Sequence, residues 1–368
     1  MIKVMQVVTD TNIGGAGVWL LTFLKAYDRE KTDMLVVIPP DSALAERIEE
    51  LGVRYIEAEG IADSSFSVKG IFSLKKIFEE EKPDIIHTHA SLSARIAARI
   101  CKIPVVNTRH CLEPAKKGIK RAVYRFINNT LSDKVIAVSK AVYDNLFEDG
   151  ISEDKLALIY NGVYPLSELP SDERKAVRMG LGVEGTMTVG IFARLEPVKN
   201  HHLFLKAAAA AYQVNDRFRF LIVGAGSMEE ELKAEAQRRG IGDAVIFTGY
   251  VRDITELMNA VDINVLTSDF EAMSISLVEG MTIAKPCITT DAGGPREVVE
   301  NGVSGIVVPV GDAVNLSAAL LRLASDAELR KSFGEAGRRI AAEKFTPEIM
   351  SEKLLKVYEE LAAVRRGR

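Results

Sequence analysis

Cysteine is scarce in this chain of 368 residues, and the three that occur, Cys101, Cys111 and Cys287, are scattered. Their spacing fits neither a disulfide framework nor a metal site, which predicts a reducing, cytoplasmic environment. No apolar run reaches the length of about 18 residues that marks a membrane-spanning helix. The formal net charge of -4 lacks the basic excess usual for nucleic-acid-binding proteins. We therefore expect a cytoplasmic protein without a nucleic-acid partner, in peripheral contact at most with the inner face of a membrane.

Short β-branched runs alternate with helical patterns through both halves of the chain. Residues 1–8 read as a first strand rather than a signal peptide, because they lead directly into polar residues 9–12. A second series of strands begins at residues 187–193. This alternation is typical of βαβ units with parallel sheets buried on both faces. The length favours two domains, so the predicted fold class is α/β, with two doubly wound, Rossmann-like domains facing a central cleft.

Periodicity breaks in residues 161–170, where two prolines occur, and the domain boundary is predicted there. The domains then span residues 1–165 and 166–345. A last helical segment, residues 346–368, carries most of its apolar residues on one face and can pack on either domain.

Two carboxylates, Glu271 and Glu279, stand eight positions apart around a segment that leads into a helix. In one continuous helix they would be about 12 Å apart along the axis, so we expect Glu271 before the helix and Glu279 inside it. With Ser276 as N-cap, the helix start offers backbone N–H groups to an anion. This predicts a ligand that carries phosphates and hydroxyls. The alternative is a capping box, in which Glu279 bonds back to Ser276 and contacts no substrate.

Two further segments follow strands and suit an anionic ligand. Gly14, Gly15 and Gly17 form a turn that enters a helix, where small residues let backbone N–H groups approach the ligand. A plain tight turn is the alternative. Arg194 and Lys199 follow the first strand of the second half and can hold a diphosphate from two sides. Unconnected, solvated charges are the alternative.

Residues 224–226, Gly-Ala-Gly, resemble the start of a nicotinamide-binding fingerprint. Glu229, however, occupies the third glycine position, and two more acidic residues follow it. Negative charge at a helix start disfavours a pyrophosphate, and a helix-capping turn explains the glycines equally well.

Three of the five histidines lie at strand ends in the first half. His87 and His89, two residues apart, share a strand face. Because no third ligand of suitable spacing is evident, structural roles are preferred over metal binding. His110 lies just past the strand at residues 105–108, facing the expected cleft. A structural histidine is the alternative for this position.

Residues 116–125 carry five cations and no acid. With Ile119, Val123, Phe126 and Ile127 at helical spacing, this segment fits a surface helix that touches anionic lipid or an acidic acceptor. The preferred interpretation is an ordinary amphipathic helix whose apolar stripe lies in the core.

Together these residues resemble the retaining family 4 glycosyltransferases of the GT-B fold, over nearly the whole chain. The most specific stretch is residues 270–309, with Glu271 and Glu279, the run Gly-Gly-Pro-Arg-Glu-Val-Val from Gly293, and Asn-Gly-Val-Ser-Gly from Asn301. Departures from the family pattern are Ala272 where glycine is common, Gly280 where alanine is usual, and Tyr164 where aspartate often follows Asn-Gly-Val.

The resemblance implies transfer of a hexose from a nucleotide diphosphate sugar, with UDP preferred, to a cell-envelope, polysaccharide or glycolipid acceptor. It implies retention of the anomeric configuration and no metal or other cofactor. The first domain would bind the acceptor and the second the nucleotide sugar, and the last helix would cross back toward the first domain. A UDP-sugar epimerase of the same fold is the alternative, and a nicotinamide-dependent oxidoreductase is a more distant one.

By the same resemblance, Arg194 and Lys199 would bind the diphosphate, and Glu279 the ribose. Glu271 would hold the transferred sugar, and His110 matches a family histidine close to the reacting sugar. The implied catalytic residues are thus His110, Arg194, Lys199 and Glu271. The implied donor-binding residues are Gly14, Gly15, Gly17, Arg194, Lys199, Gly249, Val251, Glu271, Ala272, Met273, Ser274, Ile275, Ser276 and Glu279.

Overall fold

A computed structural model describes residues 1–366, and it contains the strands predicted at residues 1–8, 105–108 and 187–193. The described first half also has a three-residue strand, β7, that the sequence reading missed because so short a run shows no clear alternation. The strands of this half are β1 (Ile2–Val7), β2 (Thr32–Ile38), β3 (Arg54–Glu57), β4 (Ile85–Thr88), β5 (Val105–Arg109), β6 (Lys134–Ala137) and β7 (Leu156–Leu158). Its helices are α1 (Gly15–Ala26), α2 (Leu44–Glu50), α3 (Val68–Glu81), α4 (Leu92–Ile100), α5 (Gly118–Leu131) and α6 (Lys140–Glu148).

The second half repeats the alternation of strands and helices. Its strands are β8 (Met187–Phe192), β9 (Phe218–Val223), β10 (Val245–Gly249), β11 (Ile263–Leu266), β12 (Cys287–Thr290) and β13 (Gly305–Val308). The helices are α7 (Ser171–Gly180), α8 (His201–Val214), α9 (Glu229–Arg238), α10 (Thr255–Ala260), α11 (Ile275–Thr282), α12 (Pro295–Val298), α13 (Ala313–Ser325), α14 (Ala327–Lys344) and α15 (Pro347–Arg366).

Within the described residues, the strands form two parallel sheets, one for each half. The first sheet has the order β3-β2-β1-β4-β5-β6-β7, and the second has the order β10-β9-β8-β11-β12-β13. The predicted pair of doubly wound α/β sheets is therefore confirmed. The strand order reverses between β1 and β4 in one sheet and between β8 and β11 in the other. Ligands of open α/β sheets bind beyond the carboxyl ends of strands at such a switch point.

Alternate residues of the strands pack on opposite faces of each sheet, as the period of two requires. In the first sheet, Val4 and Val36 face the cluster that contains Trp19 of α1, whereas Met5 and Val37 face the cluster that contains Leu74 of α3. The second sheet packs Val189 and Ile191 against α8 and α13 on one face. Helices on both faces leave the strand ends as the exposed edges on which functional residues can lie.

The chain divides into two compact units. One is Met1–Gly162 together with the segment that begins at Phe345, and the other is Val163–Lys344. The last helix, α15, packs on α1, β1 and β4 of the first unit. Its side chains Met350, Leu354, Val357, Tyr358 and Ala362 are buried in the same core cluster as β1. That the first unit binds an acceptor and the second a nucleotide sugar stays a prediction.

Helix α5 contradicts the expectation that its apolar stripe lies in the core. Ile119, Val123 and Phe126 are 84%, 51% and 69% exposed, and Asn128 is the buried residue of the helix. The spacing of the apolar residues predicted the helix correctly. The spacing alone does not show whether the apolar face packs against the sheet or faces the solvent. In α5 this face is exposed to solvent.

If α15 belongs to the core of the first unit, Leu354→Ala will lower the free energy of unfolding by about 2–5 kcal/mol, because Leu354 is fully buried and the lost methyl groups leave a cavity. The neighbouring exposed Lys353→Ala is the matched control and should change stability by about 0.5 kcal/mol or less. Urea denaturation measures both. Equal stabilities of the two variants would show that the helix contributes little to this core.

Candidate functional site

The turn after β8 is shaped by a close approach of backbone to backbone. Gly224 has a φ of +145°, and a Cβ added there would lie 2.1 Å from the carbonyl oxygen of Ala193. A Cβ on Gly226 would lie 2.4 Å from the carbonyl oxygen of Leu195, whose N–H donates to Ala225 at 3.0 Å. These contacts explain the Gly-Ala-Gly run that resembled a nicotinamide fingerprint. The glycines make room for the turn that carries Arg194.

Arg194 and Lys199 differ in their surroundings within this turn. The Arg194 side chain is exposed, and the structure gives it no hydrogen bond or ion pair among the described residues. Lys199 ends a short 3-10 helix, Pro197–Lys199, and its ammonium group forms an ion pair with Glu271, both side chains being largely buried. Ser268 Oγ also donates to the Glu271 carboxylate at 3.2 Å. The structure thus joins two of the predicted catalytic residues, Lys199 and Glu271.

Several bonds hold the turn after β8 against the segment that follows β11. Thr267 Oγ1 lies 3.0 Å from the carbonyl oxygens of both Lys199 and Asn200. Asn200 Nδ2 donates to Asp269 Oδ1 at 2.7 Å, and the Asp269 N–H donates to the carbonyl of Val198 at 2.9 Å. Asn200 also caps α8 by accepting from the Leu203 N–H at 3.0 Å. The Lys199–Glu271 pair therefore rests on a fixed backbone frame.

A second close approach fixes the residues after Glu271. The Glu271 N–H donates to the carbonyl of Ala292 at 3.0 Å, and the Gly294 N–H donates to the carbonyl of Glu271 at 3.0 Å. A Cβ on Gly294 would lie 1.7 Å from the carbonyl oxygen of Ala272. The Gly-Gly run after β12 is thus needed to hold the backbone from Glu271 to Ala272.

Helix α11 begins at Ile275, and its N-cap is Ser274, whose side chain accepts from the Leu277 N–H at 3.3 Å. The prediction that Ser276 caps this helix is wrong. Ser274 has the extended backbone that a cap requires, whereas Ser276 lies in the first turn. Glu271 precedes the helix and Glu279 lies inside it, as expected. Ala272 and Met273, which lead into the cap, are buried.

Glu279 has an unusual environment for a carboxyl group. Burial raises its pKa from 4.5 to about 7, and the negative charge of Asp253 adds to the rise. The structure gives its carboxyl group no hydrogen bond among the described residues. The capping-box alternative is therefore wrong, since Glu279 lies too far into the helix to bond back to the Ser274 cap. A carboxyl group without a protein partner can accept hydrogen bonds from a ligand.

Gly249 and Val251 lie at and beyond the end of β10. Gly249 has a φ of +69° and accepts the Gly224 N–H at 3.0 Å. Val251 packs partly buried against a core cluster that includes Leu221 and Val223. Both residues thus belong to the same edge of the second sheet as Arg194.

In the first unit, the glycine turn leads into α1. Gly14 is the N-cap and supplies no side-chain acceptor. Gly14 and Gly15 are exposed, whereas Gly17 is buried, and a Cβ on it would lie 3.2 Å from Leu44. The first turn of α1 therefore presents backbone N–H groups, as expected of an anion site.

His110 is half-buried just past β5, and its Nε2 lies 2.8 Å from His89 Nδ1. His87 and His89 are buried and are occupied by hydrogen bonds to Tyr358, Thr108 and Gln6. Among the described residues, no cluster of three or more His, Cys, Asp or Glu side chains is arranged to hold a metal ion.

Two family models together match most of the chain. Residues 13–165 match the family model described as Glycosyltransferase Family 4, and residues 177–340 match the model described as Glycosyl transferases group 1. The chain belongs to the family 4 glycosyltransferases.

Individual relatives of this glycosyltransferase cover most of its length. The UDP-Gal:alpha-D-GlcNAc-diphosphoundecaprenol alpha-1,3-galactosyltransferase of Escherichia coli is 28% identical over 283 residues, which are 70% of this chain and 71% of the relative. The N-acetyl-alpha-D-glucosaminyl L-malate synthase of Bacillus anthracis is 26% identical over 297 residues, which are 78% and 76% of the two chains.

Among solved structures, HepE of Anabaena in complex with UDP-glucose superposes with a TM-score of 0.86 at 24% identity. The match covers 98% of this glycosyltransferase and all of the HepE chain. This likeness shows the GT-B fold.

Sequence reasoning missed the residues that hold the catalytic candidates of this glycosyltransferase in place. Ser268 and Asp269 lie two and three residues after the end of β11, and Asn200 directly follows Lys199. A polar residue next to a candidate at a strand end is the signal that could have found them. The Asn200–Asp269 bond itself was not predictable, because no spacing rule relates positions 69 residues apart.

The raised pKa of Glu279 predicts how stability depends on pH. Because the folded protein holds the proton more tightly than the unfolded chain, the contribution of Glu279 to stability is complete below pH 4.5 and is lost as the pH rises through about 7. Urea denaturation should therefore show that Glu279→Gln gains stability relative to wild type between pH 5 and pH 8.

Glu256→Gln replaces an exposed glutamate by the same change of residue and is the control for the substitution itself. A constant difference between Glu279→Gln and wild type over this range would contradict the raised pKa.

Proposed function

We propose that this glycosyltransferase moves a hexose from a UDP-sugar to a cell-envelope acceptor, a lipid-linked or polysaccharide sugar, with retention of the anomeric configuration. The observation that carries the proposal is the Lys199–Glu271 pair, held on a fixed backbone beside the exposed Arg194 at the switch point of the second sheet. HepE was crystallised with UDP-glucose, and the Escherichia coli relative is named for a UDP-Gal donor and a diphosphoundecaprenol-linked acceptor. The HepE complex supports the donor class, and the name of the Escherichia coli relative supports the donor class and the acceptor class.

Cleavage of the bond between sugar and diphosphate builds negative charge on the leaving phosphate. Arg194, which has no protein partner among the described residues, is available to that phosphate, and Lys199 adds a second positive charge. Positive charges at the leaving phosphate stabilise the transition state as this negative charge builds. Because two cations supply this charge, the proposed reaction needs no metal ion.

The sugar and the ribose are proposed to bind through carboxylates and backbone groups. Glu271 keeps acceptor capacity beyond its contacts with Lys199 and Ser268, so its oxygens can accept sugar hydroxyls. Glu279 can accept the ribose hydroxyls in the same way. The backbone from Ala272 to Ser276 surrounds the start of α11, whose N–H groups favour an anion.

Retention follows if the acceptor hydroxyl attacks the anomeric carbon from the same face of the sugar from which the leaving phosphate departs. An oxygen of the leaving phosphate then takes the acceptor proton, so that no protein base is needed on the opposite face. His110 is proposed to act on the reacting sugar, and the glycine turn from Gly14 to Gly17 on the diphosphate.

Removal of either cation should reduce turnover. Arg194→Ala and Lys199→Ala are each expected to lower kcat by roughly 10² to 10³, the scale for one charge-stabilising group. Lys206→Ala removes an exposed cation of α8 and is the control, with turnover close to wild type. Assays of UDP and GDP release with a panel of sugar donors give the rates and the donor together.

Turnover within threefold of wild type for both variants would contradict the assignment of the cations. Incubation with UDP-N-acetylglucosamine and no acceptor tests the epimerase alternative. A changed sugar without release of UDP would favour the epimerase.

We further propose that α5 rests on an anionic membrane surface. Its outer face, which we call the basic-apolar face, combines the exposed Ile119, Val123 and Phe126 with exposed cations. These cations are Lys117, Lys120 and Arg125. The helix contains no acidic residue, so the face is complementary in charge to anionic lipid and its apolar side chains can enter the headgroup region.

Not every cation of residues 116–125 contributes to this surface. Lys116 pairs with Glu113 at 2.6 Å and with Asp149 at 3.2 Å. Arg121 donates to the backbone carbonyl of Glu148. Lys117 and Lys120 have no ion pair among the described residues and are the cations most available to lipid. Within residues 1–366, none of the helices combines the length and apolar character needed to cross a bilayer.

Sedimentation with lipid vesicles tests the membrane proposal. Wild type is expected to bind vesicles that contain phosphatidylglycerol and not vesicles of phosphatidylcholine alone. A Lys117→Gln/Lys120→Gln variant should bind roughly thirtyfold more weakly, since each of the two cations near the surface contributes about 1 kcal/mol. A Lys206→Gln/Lys353→Gln variant has the same charge change on other exposed helices and should bind like wild type.

Equal binding to neutral and anionic vesicles would reject the electrostatic contribution. Absence of binding to both, with dimers that dissociate in Phe126→Ser, would instead assign the basic-apolar face to a second copy of the chain.

A further inference from the structure

A buried chain of hydrogen bonds leads to His110 in the first unit. We call Gln6, His87, His89, His110 and Tyr358 the histidine network. Gln6 lies on β1 directly opposite His87 on β4, at the switch point of the first sheet. His89 follows β4, His110 follows β5, and Tyr358 comes from α15. The network therefore links three adjacent strands, β1, β4 and β5, with the last helix of the chain.

The structure places the amide nitrogen of Gln6 toward Tyr358 and His87 and its carbonyl oxygen toward His89. Gln6 Nε2 donates to Tyr358 Oη at 3.1 Å and lies 3.3 Å from His87 Nδ1, while Tyr358 Oη lies 2.6 Å from the same nitrogen. His87 Nε2 is 2.7 Å from Thr108 Oγ1. With its amide nitrogen on this side, Gln6 presents its carbonyl oxygen to His89 Nε2 at 3.1 Å.

The carbonyl oxygen of Gln6, which faces His89 Nε2, determines which nitrogens of His89 and His110 carry a proton. A carbonyl oxygen only accepts hydrogen bonds, so His89 must carry its proton on Nε2. In a neutral ring the other nitrogen, Nδ1, is then an acceptor. His110 Nε2, 2.8 Å away, must therefore be the donor to His89 Nδ1. The proton of a neutral His110 is thus on Nε2, which leaves a lone pair on Nδ1.

The rings are neutral at physiological pH. Burial lowers the pKa of His110 to about 3, with the positive charge of Arg109 as a second cause. Burial also lowers the pKa of His87 to about 3 and holds the pKa of His89 well below its ordinary value. A second proton on any of these rings is therefore strongly disfavoured.

The surrounding aromatic rings hold the orientation of the two imidazoles. His89 and His110 stack with their ring centroids 5.1 Å apart. The Trp19 ring meets both edge-on, at 4.9 Å from His89 and 5.7 Å from His110. Among residues 1–366, the structure gives no partner to His110 Nδ1, the atom that the network leaves as an acceptor.

We propose that Gln6 and His89 are positioning residues that hold His110 in the tautomer with a free Nδ1, so that His110 accepts a hydrogen bond from a sugar hydroxyl. The inference rests on the proposed function, which assigns His110 to the reacting sugar. An acceptor at this position distinguishes a sugar with a hydroxyl there from one that lacks it. A histidine held in this state cannot donate a proton from Nδ1.

Long-range ¹H–¹⁵N correlation spectra of protein labelled at histidine nitrogens report the tautomer directly. His110 is assigned by the signals that disappear in His110→Gln. We expect wild type to show the proton on Nε2 and a non-protonated Nδ1 between pH 6 and pH 8. His89→Phe keeps an aromatic ring in the stack but removes the acceptor, so His110 should then show a mixture of tautomers.

Kinetics of the same variants test the effect on transfer. His89→Phe should lower kcat by roughly tenfold to a hundredfold, the usual range for a group that orients a functional histidine. Gln6→Leu should also lower kcat. It takes the place of His89→Phe in the test if that variant fails to fold. Gln6→Glu retains an acceptor for His89 Nε2 and should restore the wild-type tautomer. Thr108→Val removes the hydrogen-bond partner of His87 Nε2. This bond is not part of the path from Gln6 through His89 to His110, so the variant is the matched control.

A wild-type spectrum with the proton of His110 on Nδ1 would overturn the proposal. An unchanged tautomer and unchanged kcat in both His89→Phe and Gln6→Leu would also overturn it and leave these residues a packing role. Wild-type turnover of His110→Gln would instead refute the role of His110 in the proposed function, and the spectra would still decide whether Gln6 and His89 position its ring.

Discussion

The attachment of the turn after β8 to the segment after β11 is the constraint on which the donor-site candidates depend. Four hydrogen-bond contacts join these segments: two from Thr267 Oγ1, one from the Asn200 side chain and one from the Asp269 backbone. The Lys199–Glu271 ion pair lies beside them. A lysine and a glutamate 72 positions apart meet because β8 and β11 are neighbours in the sheet. The ion pair is thus a consequence of the strand order, and the hydrogen bonds between the two segments fix the positions of Lys199 and Glu271.

Glycine has a corresponding role on both sides of this frame. Gly224 and Gly226 admit the backbone of Ala193 and Leu195, and Gly294 admits the carbonyl of Ala272. At each position the atom that a Cβ would meet is backbone, which cannot rotate away as the end of a side chain can. These three glycines therefore let the segments that carry the charged and polar groups approach each other closely. They shape the site in this way without contacting a ligand.

The sequence predicted the strands and the order of the candidates well, because buried parallel strands are apolar runs and ligand-binding groups follow their carboxyl ends. Glu271 and Glu279 were placed correctly relative to α11 by helical geometry alone. The cap was misassigned, since Ser274 and Ser276 are equally suitable residue types and differ only in backbone conformation. The outward face of α5 was also missed, because periodicity identifies an apolar stripe without showing what lies against it. Long-range contacts such as Gln6 with Tyr358 follow no local rule.

The position of Tyr358 along the chain has a consequence for biosynthesis. Its hydroxyl group reaches His87 across 271 residues of sequence, and its ring fills the core beneath β1. The strands of the first sheet emerge from the ribosome early, yet their core and the histidine network remain incomplete until α15 has been synthesised. The first unit is therefore the last to be finished, and a nascent chain has its second unit complete before the first.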